Sequence, residues 1–129
     1  MKTFIRQATI QDAVLIYTLL QTENSKVVYR SLDDILDNIK NFIVYQTGDD
    51  TISGCIAFEN YSSKIAEIRS LVVAPFFRKQ GVGTALVKQA LKRAKRGQEV
   101  FVVTSNREFF NNIGFGQQLN EKYILFKQK

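Results

Sequence analysis

Residues 74–87, APFFRKQGVGTALV, constrain this chain more than any other stretch. The segment before them, KIAEIRSLVVA, reads as a long strand. In it Ile65, Glu67, Arg69 and Leu71 share one parity, and Ala66, Ile68, Ser70 and Val72 share the other. Pro75 has no amide to give to a ladder and ends the strand. Two glycines then stand one residue apart, Gly81 and Gly83. After them Val82, Ala85, Leu86, Ala90, Leu91 and Ala94 recur at helical spacing. The unit is strand, turn, helix. The helix is expected over residues 81–96, with Gly97 as its stop.

The remaining segments fit around that unit. TFIRQA reads as a first strand. Thr9 with Asp12 resembles a capping box, and Ala13, Ile16, Tyr17 and Leu20 give the following helix its apolar face. Ser31 with Asp34 repeats the signal before a shorter helix carrying Ile35, Leu36 and Ile39. FIVYQT, GDD and TISGCIAFE read as a hairpin. EVFVVT is a strand, NREFFNNI a short helix ended by Gly114, and YILFK a last strand. A further strand is expected near residues 115–119. The result is a layered α/β (α+β) domain over residues 1–129, with a mixed, partly parallel sheet of about six to seven strands and about four helices.

Composition narrows the chemistry. There is no histidine and a single cysteine, Cys55. That removes Ser-His-Asp and Cys-His arrangements, an internal disulfide and a Cys/His metal site. A general base must then be a carboxylate, a lysine, a tyrosine or a water. No apolar run approaches the ~20 residues that span a bilayer, and the N-terminal residues lack an apolar signal core. The cytosol is the expected compartment, with no membrane partner. Charge is uneven. Residues 1–63 hold 5 Lys/Arg and 8 Asp/Glu, whereas residues 64–129 hold 13 and 4. Seven cations and no acid fall between Arg78 and Arg96. Such a half suits an anionic partner, a phosphorylated small molecule or a nucleic acid, or else a solvated helix face.

The pattern Arg78-x-x-Gly81-x-Gly83, between strand and helix, has the makings of an anion cradle. A helix start carries unpaired amides and the positive end of the dipole. Glycine lets backbone approach an oxygen-rich ligand. Neither the P-loop nor the dinucleotide fingerprint fits, because Thr84 follows Gly83 and Leu86 occupies the third glycine position. A plain structural turn remains the alternative.

In its context the stretch resembles the acetyl-CoA-binding segment of the GNAT family of N-acetyltransferases. IRSLVVAPFFRKQGVGTALVKQAL follows that family's strand, proline turn, Q/R-x-x-G-x-G/A and helix. FIRQATIQDA is similar to its opening strand and helix, and FFNNIGF to its C-terminal helix and Gly-Phe. The resemblance implies acetyl-CoA as cosubstrate. The backbone of Arg78, Lys79, Gln80, Gly81, Val82, Gly83 and Thr84 would hold its pyrophosphate. The backbone of Leu71, Val72 and Val73 would pair with the pantetheine arm, and Lys79 and Lys88 would meet the 3′-phosphate.

The resemblance also implies direct attack by an amine in a ternary complex, with a backbone amide near a bulge of the long strand serving the oxyanion. Glu67, 14 residues before Gly81, resembles the catalytic glutamate of the histone-acetylating branch. Its alternative is a substrate-orienting or strand-edge carboxylate paired with Arg69. Many members have a tyrosine four residues before the Gly of Gly-Phe, and this chain has Phe110. The family's common loop asparagine falls at Val103. Tyr123 is then the candidate acid, while Thr104, Ser105 and Asn106 are polar contacts or helix caps. Phe at this position resembles the acetyltransferase domain of N-acetylglutamate synthases. That branch implies Arg69 and Arg107 as carboxylate partners, with surface charges as their alternative. Tyr29 and Arg30 belong either to the acceptor cleft or to an ordinary loop.

Four functions compete: acetylation of a small amine or amino acid, acetylation of a protein amine, coenzyme A binding without catalysis, and nucleic-acid binding. The last lacks interleaved exposed aromatics and is set aside, so no nucleic-acid partner is expected. The last strand, at an exposed edge, is a candidate for pairing across a homodimer.

Overall fold

The hairpin around GDD supplies the second and third strands of the sheet. The computed structural model describes residues 3–22, 29–116 and 123–128. β2 (Phe42–Thr47) and β3 (Ile52–Asn60) pair antiparallel across that turn. β1 (Thr3–Gln7) adds to the outer side of β2, and β4 (Ile65–Val73) to the other side of β3. β5 (Glu99–Thr104) runs parallel to β4, and β6 (Tyr123–Gln128) antiparallel to β5. The described residues thus form one mixed sheet of six strands in chain order. A parallel β4–β5 pair needs a crossover, and α3 (Val82–Leu91) supplies it.

Strand alternation sends side chains to two cores. On one face Phe42, Val44, Cys55, Ala57 and Val72 pack under α1 (Ala13–Thr22) and α2 (Leu32–Asp37) through Ile16, Leu20 and Ile35. On the other, Ile43, Ile56, Phe58, Ile68 and Val102 pack under α3 through Val82, Leu86, Val87 and Ala90. Phe110, on α4 (Arg107–Asn111), joins this second core. β3 lies between the two layers and is buried over most of its length.

Helix starts follow their caps. Asp12 Oδ2 accepts the Thr9 amide at 2.7 Å, but the first turn, Ile10–Asp12, is 3-10 and α1 begins at Ala13. Arg6 fixes that turn, donating to both Asp12 oxygens at 2.8 and 2.9 Å. Ser31 Oγ accepts the Asp34 amide at 3.0 Å and starts α2. Ile39, expected on the same helix, belongs instead to a separate 3-10 turn, Ile39–Asn41.

Two expectations need correction. The helix expected to reach residue 96 ends at Leu91 and tightens into short turns, with Lys92 N bonded to Gln89 O and Ala94 N to Leu91 O. The cause is Gln98, whose fully buried amide accepts from Lys95 N at 3.0 Å and donates to Asn60 Oδ1 and Ser62 O. These bonds pull the chain off the helical path toward β5, while Gly97 takes φ +81°.

The second correction concerns β4. Its register skips between Ala57↔Arg69 and Cys55↔Val72, so Ser70 and Leu71 together oppose Ile56. This is a β-bulge, with Ser70 at φ +58°. The extra residue switches faces. Ala66 and Ile68 point to the α3 core, but Leu71 and Val73, of the other parity, join them there, and Val72 turns to the α1 core. The strand near residues 115–119 falls largely outside the described residues.

Candidate active site

The bulge opens the sheet. β4 and β5 pair from Ile65↔Glu99 to Ile68↔Val102. β4 then continues to Val73 and β5 to Thr104 without pairing further. A parallel pair that separates midway leaves a cleft bordered by the backbone of Arg69, Ser70, Leu71, Val72 and Val73. Leu71 and Val73 are half-buried, and the Val72 side chain is buried on the opposite face. All three therefore offer the cleft backbone chiefly.

The cleft leads to the start of α3. From Val73 the chain passes a 3-10 turn, Pro75–Phe77, and a tight turn to Gly81. Gly81 caps the helix at φ +83°, ψ 5°, and no side chain bonds the helix start. Ala85 N bonds Gly81 O at 3.0 Å, so the amides of Val82, Gly83 and Thr84 precede the first helical hydrogen bond. Lys79 also has positive φ, +60°. Alternating hands in a turn aim successive amides to one side, the geometry of an anion nest. Arg78 Nε donates to Val73 O at 2.8 Å and Gln80 Nε2 to Phe76 O at 2.9 Å, which ties the loop to its own carbonyls.

The two glycines turn out to have different reasons. A Cβ on Gly81 would meet nothing within 4 Å; its backbone hand demands glycine. A Cβ on Gly83 would lie 3.3 Å from Phe109 Cζ, so this glycine admits an aromatic ring from α4 against α3. Phe109 in turn stacks edge-on with Phe110, and Phe110 with Phe115. Phe110 is buried among them and has no proton to donate.

The cations between Arg78 and Arg96 do not form one common face. Lys79 and Lys88 are exposed near the helix start and along α3. Arg93 instead crosses to the first strand, donating to Lys40 O at 2.9 Å and to Gln7 Oε1. Burial lowers its pKa from the ordinary arginine value.

On the α1–α2 face of β3 and β4, charged side chains gather around the bulge. Glu59 and Glu67 stand opposite each other in register, an arrangement that is unfavourable for like charges without partners. Each has its own. Glu67 Oε1 accepts from Tyr61 Oη at 2.5 Å. Glu59 is buried; its Oε2 accepts from Asn41 Nδ2 at 2.6 Å, and its Oε1 forms an ion pair with Arg30 Nη1 at 2.8 Å. Arg69 lies 3.9 Å from Glu59 Oε1, so its acidic neighbour is Glu59, whereas Glu67 takes the phenol. Arg107 starts α4, whose Phe110 packs into the core on the α3 side of the sheet.

Several residues stand apart from their sequence-based roles. Arg30 is no loop decoration: its side chain is 2% exposed and meets Asp34, Glu59, Ser70 and the Phe42 ring. Tyr29 beside it is exposed. Asn106 Oδ1 caps α4 by accepting the Phe109 amide at 3.3 Å, and Thr104 Oγ1 accepts the Asn106 amide at 2.9 Å. Tyr123 stands opposite Thr104 at the start of β6, and the acid role assigned to its side chain lies outside the described residues. Sequence reasoning missed Glu59, and it named Arg30 only as a cleft or loop residue without its partners. Glu59 carried one legible signal, an acid at the end of an otherwise apolar strand pattern.

Comparison with known proteins agrees with this geometry. Residues 12–115 match the acetyltransferase (GNAT) family. An uncharacterized N-acetyltransferase of Chlorobaculum tepidum is 34% identical over 131 residues, covering 98% of this chain and 82% of that protein. An amino-acid acetyltransferase of Mycobacterium tuberculosis is 31% identical over 116 residues, covering 86% and 67%. A crystal structure from the same organism, in complex with CoA, superposes with a TM-score of 0.82 at 29% identity, over 88% of this chain and 72% of that one. With the family match spanning most of the sequence, and with the split β4–β5 pair leading to an uncapped α3, the chain belongs to the acetyltransferase (GNAT) family.

Proposed function

We propose that this protein moves the acetyl group of acetyl-CoA to the primary amine of a small molecule or amino acid, by direct attack in a ternary complex. One observation carries the reading. The cleft between β4 and β5 leads from the bulge at Ser70 to the uncapped start of α3 at Gly81. An extended arm ending in a pyrophosphate fits that path, with strand backbone along one side and helix amides at the end. The anion would be held by the amides of Gly81, Val82, Gly83 and Thr84, with Lys79 and Lys88 supplying charge toward a further phosphate.

Acetyl-CoA supplies an activated thioester. The protein's own part is to orient it, accept the amine's proton and steady the developing oxyanion. Glu67 is the base in this reading, directly or through a water, and Tyr61 orients its carboxylate. The backbone at the bulge serves the oxyanion. Phe110 leaves the departing thiolate without a proton from that position. Arg69 is the nearer candidate for an acceptor carboxylate, because it shares a strand face with Glu67; Arg107 does not. Pairing of the edge strand β6 with a second copy belongs to the same proposal.

The test is to incubate the protein with acetyl-CoA and a panel of amino acids, polyamines and peptides, and to measure thiol release. Release with amino acids or small amines supports the reading. Release with peptides alone moves the acceptor to protein amines. Tight CoA binding with no release across the panel makes the protein a binding module and overturns the proposal.

A further inference from the structure

Ser70 holds a conformation that a non-glycine residue does not hold unaided. Its φ of +58° lies in the left-handed region, which is disfavoured for an L-residue, so its surroundings must enforce it. Two side chains reach it from the α1–α2 layer. Arg30 Nη1 donates to Ser70 Oγ at 3.3 Å, and the buried Cys55 Sγ donates to Ser70 O at 3.4 Å. Arg30 is itself fixed from three other directions. Its Nε donates to Asp34 Oδ2 at 2.6 Å, its Nη1 lies 2.8 Å from Glu59 Oε1, and its guanidinium stacks 4.9 Å over the Phe42 ring. A guanidinium is rigid and planar, and so transmits position from one partner to another.

These contacts join distant parts of the chain. Arg30 precedes α2, Glu59 ends β3, and Ser70 sits in the β4 bulge. The bulge decides which faces Leu71, Val72 and Val73 present and where β4 leaves β5. We propose that Arg30 is a positioning residue: through Ser70 it holds the β4 bulge in register, and so fixes the cleft backbone at Ser70 and Leu71 against which the thioester is turned over. The functional half of this inference rests on the acetyl-transfer reading above. The structural half, that the clamp holds the bulge, stands on geometry alone.

The experiment compares Arg30→Met, Arg30→Lys, Ser70→Ala and the Arg30→Met/Ser70→Ala double variant. Arg30→Met and Ser70→Ala should each lower kcat about tenfold or more, with KM for acetyl-CoA within about twofold of the parent. The double variant should be no slower than the slower single one, since both break one link. Arg30→Lys, keeping charge and a donor, should recover part of the loss. A merely structural arginine would lower the melting temperature without this split between kcat and KM. Amide hydrogen exchange gives a second readout. In Ser70→Ala the amides of Ser70, Leu71 and Val72 should exchange about tenfold faster, while those of Leu86 and Val87 on α3 stay protected. Unchanged kcat in Ser70→Ala, multiplied losses in the double variant, or unchanged exchange at the bulge each overturns the proposal. If Arg30→Met fails to fold, Ser70→Ala and Arg30→Lys decide it. If the parent transfers no acetyl group to any amine, the function reading fails by itself, and the exchange data still decide whether the clamp exists.

Discussion

Tyr61 Oη donates to Glu67 Oε1 across 2.5 Å, while Glu59 on the neighbouring strand faces Glu67 in register. Two acids side by side on a sheet would repel. Here one is neutralised by Arg30 and the other is bonded by a phenol. The asymmetry separates their roles. Glu59 is enclosed and paired, whereas Glu67 is half-exposed.

Glu67→Gln should lower kcat/KM by about 10²-fold, the usual scale for losing a general base, and should change the shape of the pH–rate profile. Tyr61→Phe should cost less, about tenfold, because it removes an orienting bond and leaves the carboxylate in place. Steady-state rates against pH check both. An unchanged profile in Glu67→Gln would remove that residue as the base.

Tyr61 also makes a prediction at alkaline pH. Partial burial, and then the bond and charge of Glu67, push its phenol up from 10 to about 12. A raised pKa in the folded state means that the stability it brings is complete below pH 10 and is lost as pH rises toward 12. A spectrophotometric titration of phenolate should show a late-titrating tyrosine that moves earlier in Glu67→Gln. If all tyrosines titrate together near the ordinary value, the bond to Glu67 is not formed in solution.

The two glycines should fail differently. Gly81→Ala should cost about 1 kcal/mol through backbone hand alone, with Gly81→Asn milder, and both should weaken CoA binding. Gly83→Ala should press on the Phe109 ring and forfeit the helix-propensity gain of about 1 kcal/mol that alanine otherwise brings, and Phe109→Leu should restore that gain. Denaturant midpoints for the four variants and the Gly83→Ala/Phe109→Leu pair test this. Additivity of the latter two would show that the ring contact is not the reason for glycine.

Asp12 anchors the opposite corner. Two hydrogen bonds from Arg6, with help from the Thr9 amide, hold its carboxyl below the usual aspartate range against the opposing effect of burial. A lowered pKa means that its stabilisation is present above the ordinary value, near 4, and is lost as pH falls below it. Asp12→Asn should therefore destabilise by about 2 kcal/mol at neutral pH. The difference from the parent should shrink in acid. A constant difference across the pH range would mean that the charge is not what matters.

Much of the site was legible because its signals are local. The uncapped helix start follows from Gly81 and the residues around it, and the strand before it from Pro75 and alternation. Asp12 and Ser31 announced their turns through short-range hydrogen bonds. The errors came where distant groups act. Helix α3 stopped at Leu91 because Gln98 bonds to Asn60 and Ser62, which periodicity cannot register. Gly83 likewise has a neighbour that the sequence did not show, Phe109 from another helix.

The sequence by itself determined the order of the elements, the two apolar faces and the glycine turn, since these depend on residues within a few positions of one another. Only the tertiary structure decided which side chains surround the cleft. The β4 bulge reverses the faces of Leu71, Val72 and Val73, and a single inserted residue leaves no mark in a period-two pattern. The pairing of Arg30 with Glu59 and Ser70, and of Tyr61 with Glu67, likewise depends on strands being brought side by side. Buried charge finds its partner in space, and chain separation sets no limit on where that partner comes from.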